Sequence, residues 1–75
     1  MEIKVMEPSN APETWQLTQS FAILAYVAGA NGTGWYLSWL TQDDDRRDVF
    51  IGDDSVADRH QALAKARRYL AANLL

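Results

Sequence analysis

Seventy-five residues with a net charge of −3 allow one small domain and make nucleic acid a poor default partner. A core of this size supplies only about 3–5 kcal/mol of net stability. The chain has no cysteine, so no disulfide adds to that. The extra stability must come from dense aromatic packing, for which there are three Trp, three Tyr and two Phe, or from self-association.

The first residues, Met1-Glu2-Ile3-Lys4, lack a basic segment followed by an apolar run and do not read as a secretory signal. The longest apolar stretch, Phe21 to Ala30, has about half of the ~20 residues that a membrane-spanning helix needs. A soluble, cytoplasmic protein without membrane contact is expected.

In chain order, Glu2 to Met6 alternate polar and apolar residues and suit a short edge strand, although residues 1–13 as a whole could also be a mobile arm. Pro8 and Pro12 bracket a loop. From 14 to 28, Trp15, Leu17, Gln19, Phe21, Ile23, Ala25 and Val27 share the odd positions, with Gln16, Thr18 and Ser20 between the first of them, as in a strand. Leu17, Phe21, Leu24, Ala25 and Ala28 also follow helical spacing, which permits a helix that starts near Pro12 and ends at Gly29. The strand is preferred, because Asn31-Gly32 between two apolar runs is a hairpin signal with positive φ expected at both residues.

The return strand, Trp35 to Thr41, sets Trp35, Leu37 and Trp39 on one face and Tyr36, Ser38 and Leu40 on the other. Gln42 to Asp48 form a charged turn, Val49 to Ile51 a further strand, and Gly52-Asp53-Asp54 its end. The C-terminal helix is expected over 55–73. Ser55 and Asp58 approximate its capping box, and Leu63, Ala66, Leu70 and Leu74 its core stripe. The expected fold is therefore α+β: an antiparallel sheet of three or four strands (14–52) in a meander, packed by one C-terminal helix in the order β-β-β-α, within a single domain 1–75.

No catalytic or metal site is expected, and no cofactor. A calcium loop that began at Asp43 would place Arg47 and Asp48 at its fifth and sixth positions, which breaks the ligand pattern. His60, the single histidine, lies beside Asp58 and Ser55, which are better explained as helix caps than as a catalytic set. Gly29, Gly32 and Gly34 lack the helix and the Lys-Ser/Thr pair of a phosphate loop. The segment Asp43 to Asp58 holds seven Asp and two Arg, a local charge of −5, while Arg59 to Arg68 holds four cations and no acid. The acidic segment reads either as a solvated turn or as a surface for a basic partner. The cationic stripe Arg59, Lys65, Arg67 and Arg68 is expected to pair with that segment, within the chain or between subunits, in preference to phosphates. Both faces of the central hairpin carry large apolar residues, and one helix can cover only one of them. The other face is then a candidate interface.

The order hairpin, strand, helix, with Gly34-Trp35-Tyr36 in a strand and Ala62-Leu63-Ala64-Lys65-Ala66 in the helix, resembles the partial double-stranded-RNA-binding-like fold of HicB-type antitoxins over about residues 21–72. The Pro- and Cys-containing segment usual before that family's helix is absent. In size, acidity and lack of catalytic chemistry the chain also resembles, in type, small phage-encoded anti-CRISPR inhibitors. The second resemblance implies a stoichiometric blocker, and the first an antitoxin-like or dimeric regulator. The leading expectation is a non-enzymatic protein-binding module, an inhibitor of a nucleic-acid-handling bacterial complex. Its contacts are expected from Asp43, Asp44, Asp45, Asp48, Asp53, Asp54, Tyr36 and Trp39 to a basic protein surface. A homodimeric regulator is the alternative, and nucleic-acid binding by the helix stands third.

Overall fold

The computed structural model describes residues 2–6, 14–52 and 59–73. Four strands, β1 (Glu2–Met6), β2 (Phe21–Gly29), β3 (Gly32–Leu40) and β4 (Arg46–Gly52), precede one helix, α1 (Arg59–Asn73). They form one sheet in the order β1-β2-β3-β4. The fold is α+β, with the helix packed on one face of the sheet.

The sheet is mixed. β2, β3 and β4 form the expected antiparallel meander, but β1 runs parallel to β2, with Glu2 opposite Phe21 and Met6 opposite Ala25. A parallel pair cannot be closed by a tight turn and needs a crossover of a dozen or more residues. Residues 7–20 supply that connection. This also corrects the expectation of a sheet beginning at 14: β2 begins at Phe21, and of residues 14–20 only Thr18 makes a bridge, to Phe21. The odd-numbered apolar pattern through Trp15 and Leu17 reports burial without a strand ladder. The helical alternative for 14–28 does not occur.

Both hairpin turns use the same device. In the first, Gly29 pairs with Gly32, and only Gly32 has a positive φ, 105°. Asn31 keeps an ordinary negative φ, contrary to expectation. In the second, the Asp44 amide donates to the Thr41 carbonyl at 3.0 Å, the Thr41 amide donates to the Asp45 carbonyl at 2.8 Å, and Asp44 has φ 63°. In each, one residue on the returning side, Gly32 or Asp44, turns left-handed, a geometry that suits the right-handed twist of the strands. Gly takes that position without a Cβ clash, and Asp is among the few side chains that tolerate it.

Strand alternation splits the apolar residues into two cores. On the helix side, Ala22, Leu24, Leu37, Trp39 and Ile51 pack with Ala62, Ala66 and Leu70 of α1. Those three helix residues follow one another at four-residue spacing, and two are alanines, so the helix axis lies close to the sheet. Leu63 packs at the margin of this core, while Leu74, Ser55, Asp58 and the first helical turn expected from 55 lie outside the described residues. On the opposite side, Ile23, Ala25, Val27 and Tyr36 pack with Trp15, flanked by Leu17, Phe21 and Phe50. The second face is therefore not bare: Trp15 and Leu17 of the crossover lie on it.

Tyr36 is fixed at the closed end of this second core. Its hydroxyl donates to the Gly32 carbonyl at 2.6 Å and accepts from the Asn31 amide at 3.0 Å. Its ring lies where a Cβ on Gly29 would come within 2.5 Å, so Gly29 is required by close approach. Between β3 and β4 the register shifts, with Trp35 opposite Gly52 but Tyr36 opposite Phe50. Ile51 is the additional residue of this bulge, and its carbonyl accepts from Lys65 Nζ at 3.1 Å.

Candidate functional site

The described part of the acidic segment is the tip and return of the β3–β4 hairpin. Its carboxylates fall into two sets. Asp44 and Asp48 are engaged. The Gln19 side-chain amide donates to Asp44 Oδ1 at 2.6 Å and to the Thr41 carbonyl at 2.7 Å. Asp48 accepts the Arg46 Nε on both oxygens, at 3.1 and 3.0 Å, and also accepts the hydroxyl of Ser38, which is fully buried. A buried hydroxyl without a partner would cost about 1–3 kcal/mol, so Asp48 has a structural role.

Asp43 and Asp45 form the other set. Both are exposed, and their carboxylates meet no partner among the described residues. The backbone beneath them is nevertheless well held. The Asp45 amide donates to Thr41 Oγ1 at 3.1 Å, in addition to the turn bonds and to the Gln19 clasp. Two charges therefore project from a fixed loop, an arrangement that saves ordering entropy when a charged partner arrives.

Arg46 connects this hairpin to the crossover. Its Nη1 donates to the Trp15 carbonyl at 2.7 Å while its Nε holds Asp48. Gln19 and Arg46 thus fasten both ends of residues 15–19 to the hairpin. Residue patterns alone did not indicate this role for either side chain. The available signal was Gln19 itself, which interrupts the odd-numbered apolar row and marks where alternation stops being a strand.

The remaining candidates are placed differently from expectation. Tyr36 and Trp39 are 4% and 2% exposed, so each is committed to a core and not to an open surface. They point to opposite faces, as the period of two requires. Asp53 and Asp54 lie outside the described residues. Among the described residues no ion pair joins the cationic stripe to the acidic turn. Lys65 goes to the Ile51 carbonyl, and Arg67 and Arg68 are exposed without a described ion-pair partner. Among the described residues no group of three or more His, Asp or Glu is placed to hold a metal ion, and no helix is long and apolar enough to cross a membrane. The chain matches no protein family, no curated protein and no solved structure.

Proposed function

We propose that this chain is a non-enzymatic protein-binding module that presents Asp43 and Asp45, on the β3–β4 hairpin, to the Arg and Lys side chains of a partner. The observation that carries this reading is the contrast within one loop: Asp44 and Asp48 serve the fold, whereas Asp43 and Asp45 stand exposed without a described partner on a braced backbone. Such charges act mainly on association rate and on selection of the partner. In its fuller form, the partner is a nucleic-acid-handling bacterial complex whose cationic groove the hairpin occupies, as the likeness in type to phage-encoded inhibitors implies.

The test is capture of partners from bacterial lysate on the tagged protein, compared with the Asp43→Ala/Asp45→Ala variant. Asp44 is left intact to keep its Gln19 bond. A specific partner should be retained at about 0.05 M salt, released at about 0.5 M, and lost in the variant. Equal capture by both proteins at both salt concentrations would reject the reading.

A second reading rests on a separate observation. Arg67 and Arg68 are exposed on a helix that carries no acidic residue from Arg59 to Asn73, so the helix offers cations to phosphates. A low-salt mobility-shift assay with duplex and single-stranded oligonucleotides decides it, since no shift would remove nucleic acid from consideration.

A further inference from the structure

The two borders of the sheet differ. β4 closes one of them with a bulge and with the charged residues Arg46, Arg47 and Asp48. β1 forms the other, and its pairing with β2 runs without a register shift from Glu2 to Met6. In a strand paired on one side only, alternate residues turn their N–H and C=O groups outward, and among the described residues nothing bonds to that outer row. Ile3 and Val5 are half-buried at the margin of the helix-side core, so they bring apolar surface to this border. Lys4, the one cation of the strand, lies inward over the Phe21 ring at 4.2 Å and does not guard the border. An edge with neither bulge nor outward lysine is one that another strand can join.

We infer that β1 is a self-association edge: β1 of a second copy adds antiparallel to it about a two-fold axis at Ile3, and the two sheets become one. Residues opposite one another point to the same face, so even-numbered residues meet even-numbered ones. Three two-fold registers keep at least three residues of β1 in the ladder. The register centred on Val5 sets Lys4 opposite Met6. The register centred on Lys4 sets two lysines opposite each other, which is destabilising. The register centred on Ile3 sets Glu2 of each copy opposite Lys4 of the other, and Ile3 meets Ile3 beside the helix-side core. Lys4 turns from Phe21 to make its pair. β1 and the β3–β4 tip lie at opposite borders of the sheet, so this contact does not depend on the tip acids.

Sedimentation velocity from about 10 µM to about 1 mM tests this, a range set by the small area of so short an edge. The mass should rise from that of one chain, 8.4 kDa, towards twice that value. Glu2→Lys sets like charges opposite at both pairs, as does Lys4→Glu, and each should weaken the dimer at least ~5-fold. The exchanged variant, Glu2→Lys/Lys4→Glu, restores both pairs and should recover the wild-type dissociation constant within about 2-fold. Both side chains are exposed, and circular dichroism checks that each variant keeps the fold. A single chain at every concentration overturns the inference. So does a dimer that all three variants form equally well, and so does an exchanged variant that is folded but does not recover.

Hydrogen exchange on the unaltered protein adds a measurement that needs no variant. Amides within Glu2–Met6 should exchange at least ~3-fold more slowly at the top of the concentration range than at the bottom, while those of β4 keep their rates. Slowing confined to β4 or to α1 would place the contact elsewhere and overturn the inference, as would unchanged rates in β1.

Discussion

The two faces of this sheet are covered by different means. On one, α1 inserts Ala62, Ala66 and Leu70 against Leu24, Leu37 and Trp39, a repeating apolar fit between regular elements. On the other, an irregular segment sets Trp15 over Ile23, Val27 and Tyr36 and is fastened by polar bonds at its ends. The first cover is part of the cooperative core. The second combines the buried Trp15 with polar bonds that water can reach. A chain too short for two helices can still bury both faces of a sheet in this way, provided that a hairpin turn supplies the fastening.

Substitutions should divide along the same line. The largest effect is expected on the helix side. Leu37 is fully buried opposite Leu24, and Leu37→Ala should cost about 2–5 kcal/mol, comparable to the whole stability of a domain this size. Urea titration followed by far-UV circular dichroism should show loss of the folded baseline. A normal midpoint would mean that this face is less essential than its packing indicates.

Trp15→Ala removes a larger side chain from the other face yet should shift the urea midpoint less, because Trp15 lies in an irregular segment that can readjust, whereas Leu37 sits between two paired strands. Its signature is increased dye binding with a preserved circular dichroism spectrum. A shift as large as that of Leu37→Ala would make the two covers equivalent. Tyr36→Phe keeps the ring under Gly29 and deletes the hydroxyl bonds to Asn31 and Gly32. A loss of about 1–2 kcal/mol is expected, measured by the same titration. The smallest effect belongs to Asp43→Ala/Asp45→Ala, which should leave stability within about 0.5 kcal/mol of wild type, as exposed charges usually do. A larger loss would show that the tip acids serve the fold after all.

The legible parts of this fold were those written in local chemistry. Asn31-Gly32 between apolar runs marks the first hairpin, period two assigns Leu37 and Tyr36 to opposite faces, and alanine-rich spacing marks the helix. The parallel pairing of β1 was not legible, because Glu2 to Met6 alternate in the same way whichever direction their neighbour runs. Nor was the irregular path of residues 14–20, since Trp15 and Leu17 continue the alternation of the strand they precede. The acidic turn was visible as composition. The division of its carboxylates between structure and exposure depends on Gln19, Ser38 and Arg46, which are distant in sequence or silent in pattern.

The bulge at Ile51 has a consequence for how the molecule behaves in a crowded solution. β4 is an outer strand of the sheet, and an outer strand with a continuous row of open backbone groups invites other chains to add to it. Here one end of that row is kinked out of register, with its spare carbonyl occupied by Lys65, and the other end carries Arg46, Arg47 and Asp48. Neither end offers a flat template for strand addition. Resistance to strand addition is thus built into the β4 border itself, so at that border it should persist at a pH or salt concentration where the modest overall charge no longer keeps molecules apart.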